Sequence, residues 1–270
     1  MTPPRISSTH HPLVQTCKRL AAHRHPDRDG RILLDGPRLI EAALDAGAPL
    51  EAALFAPEAA LSATHRAVAR LREAGIPVYQ ATARVVQAAS EVTTSQGLVA
   101  IGRTPRPRPE FELVREPELV LLVADRVQDP GNVGTMVRTA VAAGATAFAT
   151  TEGTADPFAP KALRATMGAA FALPMVQIGR ARLQEFLRAA RPAIYIADPR
   201  GTLVYTEVPW QPPLVIVVGN ETSGPHPSWP DMGQLVRIPL YGPVESLNVA
   251  VAAGLLLYEV ARRVRGHGGG

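Results

Sequence analysis

Leu119-Val120-Leu121-Leu122-Val123-Ala124 is six apolar residues in a row, bounded by Glu118 and Asp125. A strand with one wet face alternates polar and apolar side chains. A strand with no polar position is covered on both faces, which points to a parallel sheet with helices on either side. Leu214 to Val218 repeats the pattern. Shorter strand candidates lie at Ala147 to Thr150, Met175 to Ile178, Ala193 to Ala197 and Leu235 to Ile238. Helical patterns at Pro160 to Ala169 and Arg180 to Ala190 fall between them, so residues 118–270 are expected to form an α/β unit.

A second unit precedes it. From Arg31 the chain alternates a strand Ile32-Leu33-Leu34, a helix Arg38 to Ala46 and a strand Leu50 to Ala56. A helix Ser62 to Ala74, a strand Pro77-Val78-Tyr79, a helix Ala81 to Ala89 and a strand Gly97 to Gly102 follow. With a polar helix near Leu13 to Ala22, residues 1–103 are a plausible small domain. The run Thr104-Pro105-Arg106-Pro107-Arg108-Pro109 marks the boundary, because alternating prolines favour a stiff extended spacer; the linker is taken as 104–117. A chain of 270 residues is comfortable for two such domains.

Composition excludes several classes. Apolar residues are 46% and charged residues 19%, and no apolar run is long enough to span a bilayer. Met1 to Thr16 is polar and lacks the apolar centre of a signal peptide, so a cytoplasmic location is expected. Cys17 is the only cysteine, which rules out internal disulfides and argues for a buried spectator thiol. His23 and His25 have no further ligand at a metal-binding spacing and read as part of a solvated basic loop; no metal is expected. The net charge of +4 is a weak signal for nucleic acid. Nearly every positive charge is Arg, Lys18 and Lys161 being the exceptions. Phosphate recognition by guanidinium forks and a GC-rich genome account for that bias equally well.

Three stretches carry chemistry. Asp129-Pro130-Gly131-Asn132-Val133-Gly134 opens a helix after the first apolar strand, where free backbone N–H groups suit an anion. It lacks the three-glycine fingerprint of a nicotinamide-binding turn. Val218-Gly219-Asn220-Glu221-Thr222-Ser223-Gly224-Pro225 follows the second apolar strand. Ile238-Pro239 leads through Gly242-Pro243 to Ser246-Leu247-Asn248-Val249 and a helix with apolar Leu247, Val251, Leu255 and Tyr258 at helical spacing. Ser246 and Asn248 stand where side chains cap a helix start.

In this order the three stretches closely resemble the three motifs of the SpoU/TrmH family, RNA ribose 2′-O-methyltransferases of the SPOUT class. The first unit is similar to the L30e-like substrate-binding domain that many members carry, on Leu34-Asp35-Gly36-Pro37-Arg38 and Gln96-Gly97. The resemblance implies an α/β fold, a small L30e-like domain followed by a parallel-sheet domain with a deep C-terminal trefoil knot. It also implies S-adenosylmethionine as cofactor, RNA as substrate and a homodimer formed through the knotted domain.

Carried over residue by residue, the family's catalytic positions fall on Asn132, Arg138, Glu221, Ser246 and Asn248. The cofactor pocket is implied at Val218, Gly219, Asn220, Ile238, Leu240, Leu247 and Asn248, with Gly219 allowing close approach of the donor. Arg138, almost two turns into its helix and expected to face the same cleft, would engage the 2′-hydroxyl. Arg stays protonated, so stabilising a developing alkoxide suits it better than acting as a literal base. RNA contacts are implied at Arg38, Arg138 and Arg164, although Arg164 reads equally well as a solvated surface residue. Ribosomal RNA, of the 23S kind, is the favoured substrate over tRNA because of the L30e-like domain. A non-catalytic RNA-binding or ribosome-assembly protein is the alternative; the intact set Asn132, Arg138, Glu221, Ser246 and Asn248 argues against it.

Overall fold

A computed structural model describes residues 5–105, 112 and 115–266. The chain divides into two units, one of residues 1–106 with 158–172, the other of residues 107–157 with 173–270. The centre of the expected linker, Arg106-Pro107-Arg108-Pro109, lies outside the described residues.

The first unit runs α1 (Pro12–Ala22), β1 (Arg31–Asp35), α2 (Pro37–Asp45), β2 (Leu50–Phe55), α3 (Ser62–Glu73), β3 (Val78–Gln80), α4 (Ala83–Ala89) and β4 (Leu98–Arg103). Its sheet has the order β1-β4-β2-β3. The pairs β1/β4 and β2/β4 are antiparallel and β2/β3 is parallel. Leu33, Leu54, Val85, Val99 and Ile101 form its core with Val14, Cys17 and Leu20 of α1. Burial there pushes the Cys17 thiol up to about 12, so the lone cysteine is an inert core residue.

The chain continues with β5 (Val120–Asp125), α5 (Pro130–Ala143), β6 (Ala147–Thr150), α6 (Pro160–Thr166), β7 (Met175–Gln177), α7 (Arg180–Ala190) and β8 (Ala193–Ala197). Then come β9 (Leu203–Val204), β10 (Leu214–Gly219), β11 (Gln234–Arg237) and α8 (Val249–Arg265). Of these, α6 sits in the excursion 158–172 and belongs to the first unit. That departs from a single boundary near residue 103. The chain leaves β6, packs α6 against β1 and the turn Ala169–Phe171 against α2, and only then returns to β7. Gly168 permits the approach: its φ is +94°, and a Cβ there would lie 2.5 Å from the Ala42 Cβ.

The larger sheet has the order β7-β6-β5-β10-β8-β11-β9, and every neighbouring pair is parallel. β5 and β10 are buried at every position, as their uninterrupted apolar runs require. One face packs Leu121, Val123, Val215 and Val217 with Leu183 and Leu187 of α7 and with Trp229. The helix α8 packs against β10 and α5. At the second contact Gly254 meets Thr139, whose Cγ2 would be 3.4 Å from a Cβ. The two-residue β9 was not anticipated.

The apolar face of α8 also differs from the expected stripe. Val249, Ala250, Ala253, Leu256, Leu257 and Val260 are buried, whereas Val251, Leu255 and Tyr258 face outward. Both sets recur at three- and four-residue spacing, so periodicity identifies the helix without saying which face is covered. Among the described residues no helix is long and apolar enough to cross a membrane.

Candidate functional site

In a parallel sheet all strands end on the same side, and their following loops meet there. The ends of β8, β10 and β11 surround a cavity of about 420 Å³. Ala197, Asp198 and Pro199 line it from the first, Val218 to Thr222 with Gly224 and Pro225 from the second, and Val236, Ile238 and Leu240 from the third; Glu245, Ser246, Leu247, Val249 and Ala252 complete the wall. Of the expected cofactor residues, Val218, Gly219, Asn220, Ile238, Leu240 and Leu247 are therefore brought together. Asn248 is not in the lining.

Gly219 and Asn220 contribute for other reasons than expected. A Cβ on Gly219 would lie 2.0 Å from the Pro225 backbone nitrogen, so the missing side chain lets the loop fold back on its own strand. The Asn220 side chain is turned into the loop. Its Oδ1 accepts from the backbone N–H groups of Thr222 and Ser223 at 3.0 and 3.1 Å, and its Nδ2 donates to the Arg126 carbonyl at 3.2 Å. That is an Asx turn holding the loop shut.

Three of the expected catalytic side chains form one chain of hydrogen bonds. Asn248 caps α8, its Oδ1 accepting from the Ala250 and Val251 N–H groups at 2.9 and 3.3 Å. A backbone N–H can only donate, which fixes the amide with Nδ2 outward. That Nδ2 donates to Asn132 Oδ1 at 3.0 Å, which in turn points Asn132 Nδ2 at Glu221 Oε1, 2.7 Å away. Asn132 itself opens α5, where its N–H donates to the Asp129 cap at 2.9 Å. Two helix starts and the turn after β10 are thus locked in relative position. Ser246 stands at the cavity wall beside them.

Arg138 lies elsewhere. It is exposed, makes no hydrogen bond or ion pair among the described residues, and does not line the cavity. Six residues of α-helix turn it about 120° away from Asn132, so α5 presents the two on different flanks. Arg38, at the start of α2, is likewise exposed and has no partner among the described residues. Arg164 is engaged instead, in an ion pair with Glu91 of the same unit.

Sequence reasoning passed over two acids at this edge. Asp198 is buried at the cavity wall and takes a bidentate grip from Arg200, with Nε and Nη2 at 3.0 and 2.8 Å. Those bonds hold its carboxyl below the usual range. Glu245 lines the same space. The signal for Asp198 was available: it is the first polar residue after an apolar strand, as Asp125 is after β5. With Glu221, the described lining holds three carboxylates and no Lys, Arg or His. Apolar walls from Val218, Ile238, Leu240 and Leu247 suit an adenosyl group, and Glu221 and Glu245, the two carboxylates of the lining not paired with an Arg among the described residues, suit its sulfonium cation. No group of three or more His, Cys, Asp or Glu side chains is arranged for a metal among the described residues.

Residues 119–258 match the family described as SpoU rRNA Methylase, and residues 11–100 match the MRM3-like substrate binding domain. The 23S rRNA (guanosine(2553)-2′-O)-methyltransferase RlmP of Bacillus subtilis (strain 168) is 32% identical over 257 residues, covering 95% of this chain and 98% of that protein. The 23S rRNA (uridine(2479)-2′-O)-methyltransferase of Streptomyces viridochromogenes is 28% identical over 266 residues, covering 96% and 92%. Among solved structures, an AdoMet-bound rRNA methyltransferase from Sinorhizobium meliloti superposes with a TM-score of 0.85 at 29% identity, covering 97% of this chain and 98% of that one.

Proposed function

The chain belongs to the SpoU rRNA methylase family, and from that premise we propose that it transfers a methyl group from S-adenosylmethionine to a ribose 2′-hydroxyl of 23S ribosomal RNA. The observation that carries this is the hydrogen-bonded series Asn248–Asn132–Glu221, which joins all three motif segments beside a cavity suited to a cationic adenosyl donor. The two named relatives act on a guanosine and a uridine, so the base is left open by kinship and the common chemistry is at the ribose.

The cofactor supplies an activated methyl group; this chain's residues supply alignment and electrostatics. Val218, Gly219, Ile238, Leu240 and Leu247 would hold it, with the carboxylates of Glu221 and Glu245 facing its positive charge. Asn132, Glu221 and Asn248 set the spacing of the loops, and Ser246 lies where a ribose or phosphate can be oriented. Arg138, free of internal partners, is available to an RNA phosphate and to the oxygen that loses its proton. Its guanidinium stabilises negative charge there and stays protonated throughout.

The segment 1–103 is read as the RNA-recognition unit and 118–270 as the catalytic one, with the excursion 158–172 serving the former. Arg38 is one of its exposed cations; Arg38→Ala should lower the salt dependence of RNA binding by about one unit of slope, with cofactor affinity unchanged. The segment Ile238 to Asn248 is read as threading a loop of earlier chain, the family's trefoil knot. Pulling the chain from its ends should then stop short of its full extended length. Val251, Leu255 and Tyr258 are read as the homodimer face, since exposed apolar side chains in a row on one helix favour burial. A ribosomal RNA substrate supports reading the protein as cytoplasmic.

The test is transfer of labelled methyl to unmodified 23S rRNA and separately to tRNA, with the product nucleoside identified by mass. A 2′-O-methyl nucleoside from the ribosomal RNA is the expected result. Absence of cofactor binding would overturn the enzyme reading.

A further inference from the structure

We propose that Asp125 and Arg126, the corner that ends β5, are positioning residues for the cofactor loop Gly219–His226. The proposal rests on the methyltransferase reading above. Neither residue belongs to the family motifs carried over from the sequence, and neither lines the cavity.

Asp125 is fully buried, yet its carboxylate is surrounded by donors from three other segments. Oδ1 accepts the Thr151 hydroxyl at 2.6 Å and faces Arg180 Nη1 at 3.5 Å. Oδ2 accepts the His226 backbone N–H at 2.8 Å and faces Arg126 Nε at 3.6 Å. His226 is the residue with which the loop leaves the site. Arg126 grips the same loop at two further points: its Nη2 donates to the Gly224 carbonyl at 2.9 Å, and its own carbonyl accepts from Asn220 Nδ2 at 3.2 Å. To do so Arg126 sits at φ 61°, a left-handed conformation that costs a non-glycine residue free energy and persists where its surroundings hold it.

The corner therefore fastens the loop at its beginning, at its turn and at its exit. Between those points lie the cavity-lining residues Glu221, Thr222 and Pro225. A loop left to itself samples many shapes, and a ligand must then offset the ordering entropy. Anchoring it to a core strand through a charged group keeps the binding shape populated before the cofactor arrives. Asparagine can keep an oxygen toward His226 but removes the charge facing Arg126 and Arg180; alanine removes the acceptor altogether.

The experiment compares wild type with Asp125→Asn, Asp125→Ala, Arg126→Ala and Thr151→Val. S-adenosylmethionine affinity is read by calorimetry, and amide hydrogen exchange of residues 219–226 is read without ligand. Asp125→Ala should bind the cofactor at least tenfold more weakly and Asp125→Asn and Arg126→Ala severalfold, each with faster exchange confined to the loop. Thr151→Val, which weakens the carboxylate's setting without touching the loop, should bind within twofold of wild type. Should Asp125→Ala fail to fold, Arg126→Ala and Asp125→Asn decide. Unchanged affinity and exchange in both, or an equal loss in Thr151→Val, overturns the proposal. If wild type binds no cofactor, the methyltransferase reading fails instead, and the exchange arm still decides whether the corner orders the loop.

Discussion

In the four-stranded sheet β4 runs against both of its neighbours, so connections leave from opposite edges. In the seven-stranded sheet every neighbour is parallel, and the ends of β5, β8, β10 and β11 lie along one edge. The polar groups follow. In the first unit they fasten the unit's own pieces. Asp35 accepts from the Ser90 hydroxyl and the Glu91 N–H at 2.6 and 3.0 Å, Arg31 pairs with Asp27, and Arg164 pairs with Glu91. In the second unit Asp125, Asp198, Asn132, Glu221 and Asn248 sit at or beside the shared edge and fix loops around a cavity. Strand direction, more than composition, decides which sheet gathers chemistry.

The sharpest way to break this comparison is Arg138→Ala. Removing the group proposed to stabilise charge on the reacting oxygen should lower methyl transfer by about 10²–10³-fold. Cofactor affinity, measured by calorimetry, should stay within threefold because Arg138 is not in the cavity wall. A parallel fall in both would place Arg138 in cofactor binding.

A matched pair of glycines tests the division of labour. Gly219→Ala puts a methyl group against the Pro225 and Gly224 backbone and should weaken cofactor binding by about tenfold or more through the displaced loop. Gly168→Ala meets Ala42 at a left-handed position and should cost about 1–3 kcal/mol of stability, seen as a lower thermal midpoint, with cofactor binding intact. Equal cofactor loss in both variants would erase the distinction.

The smallest expected effect on the monomer is that of Leu255→Glu. Leu255 is outward-facing, so the fold should be unaffected while sedimentation shifts from dimer to monomer. A wild-type monomer would remove the dimer from the proposal.

Parts of this were legible and parts were not, for physical reasons. β5 and β10 could be read because burial on two faces forces an uninterrupted apolar run. The cap of α8 was legible because Asn248 acts on N–H groups two or three residues away. The two-residue β9 was not, since it exists by pairing with β11 and has no pattern of its own. The helix α8 was legible from its spacing but its covered side was not, because apolar residues recur on two sides of it.

By itself, then, the sequence determined the strand and helix order, the three loops that meet, and the family. The tertiary structure decided which groups serve those loops. Asp125 takes donors from residues 26 and 101 positions along the chain, and Asn248 reaches Asn132 across 116. Such partners are set by which strand lies beside which, and no local pattern of residues records that.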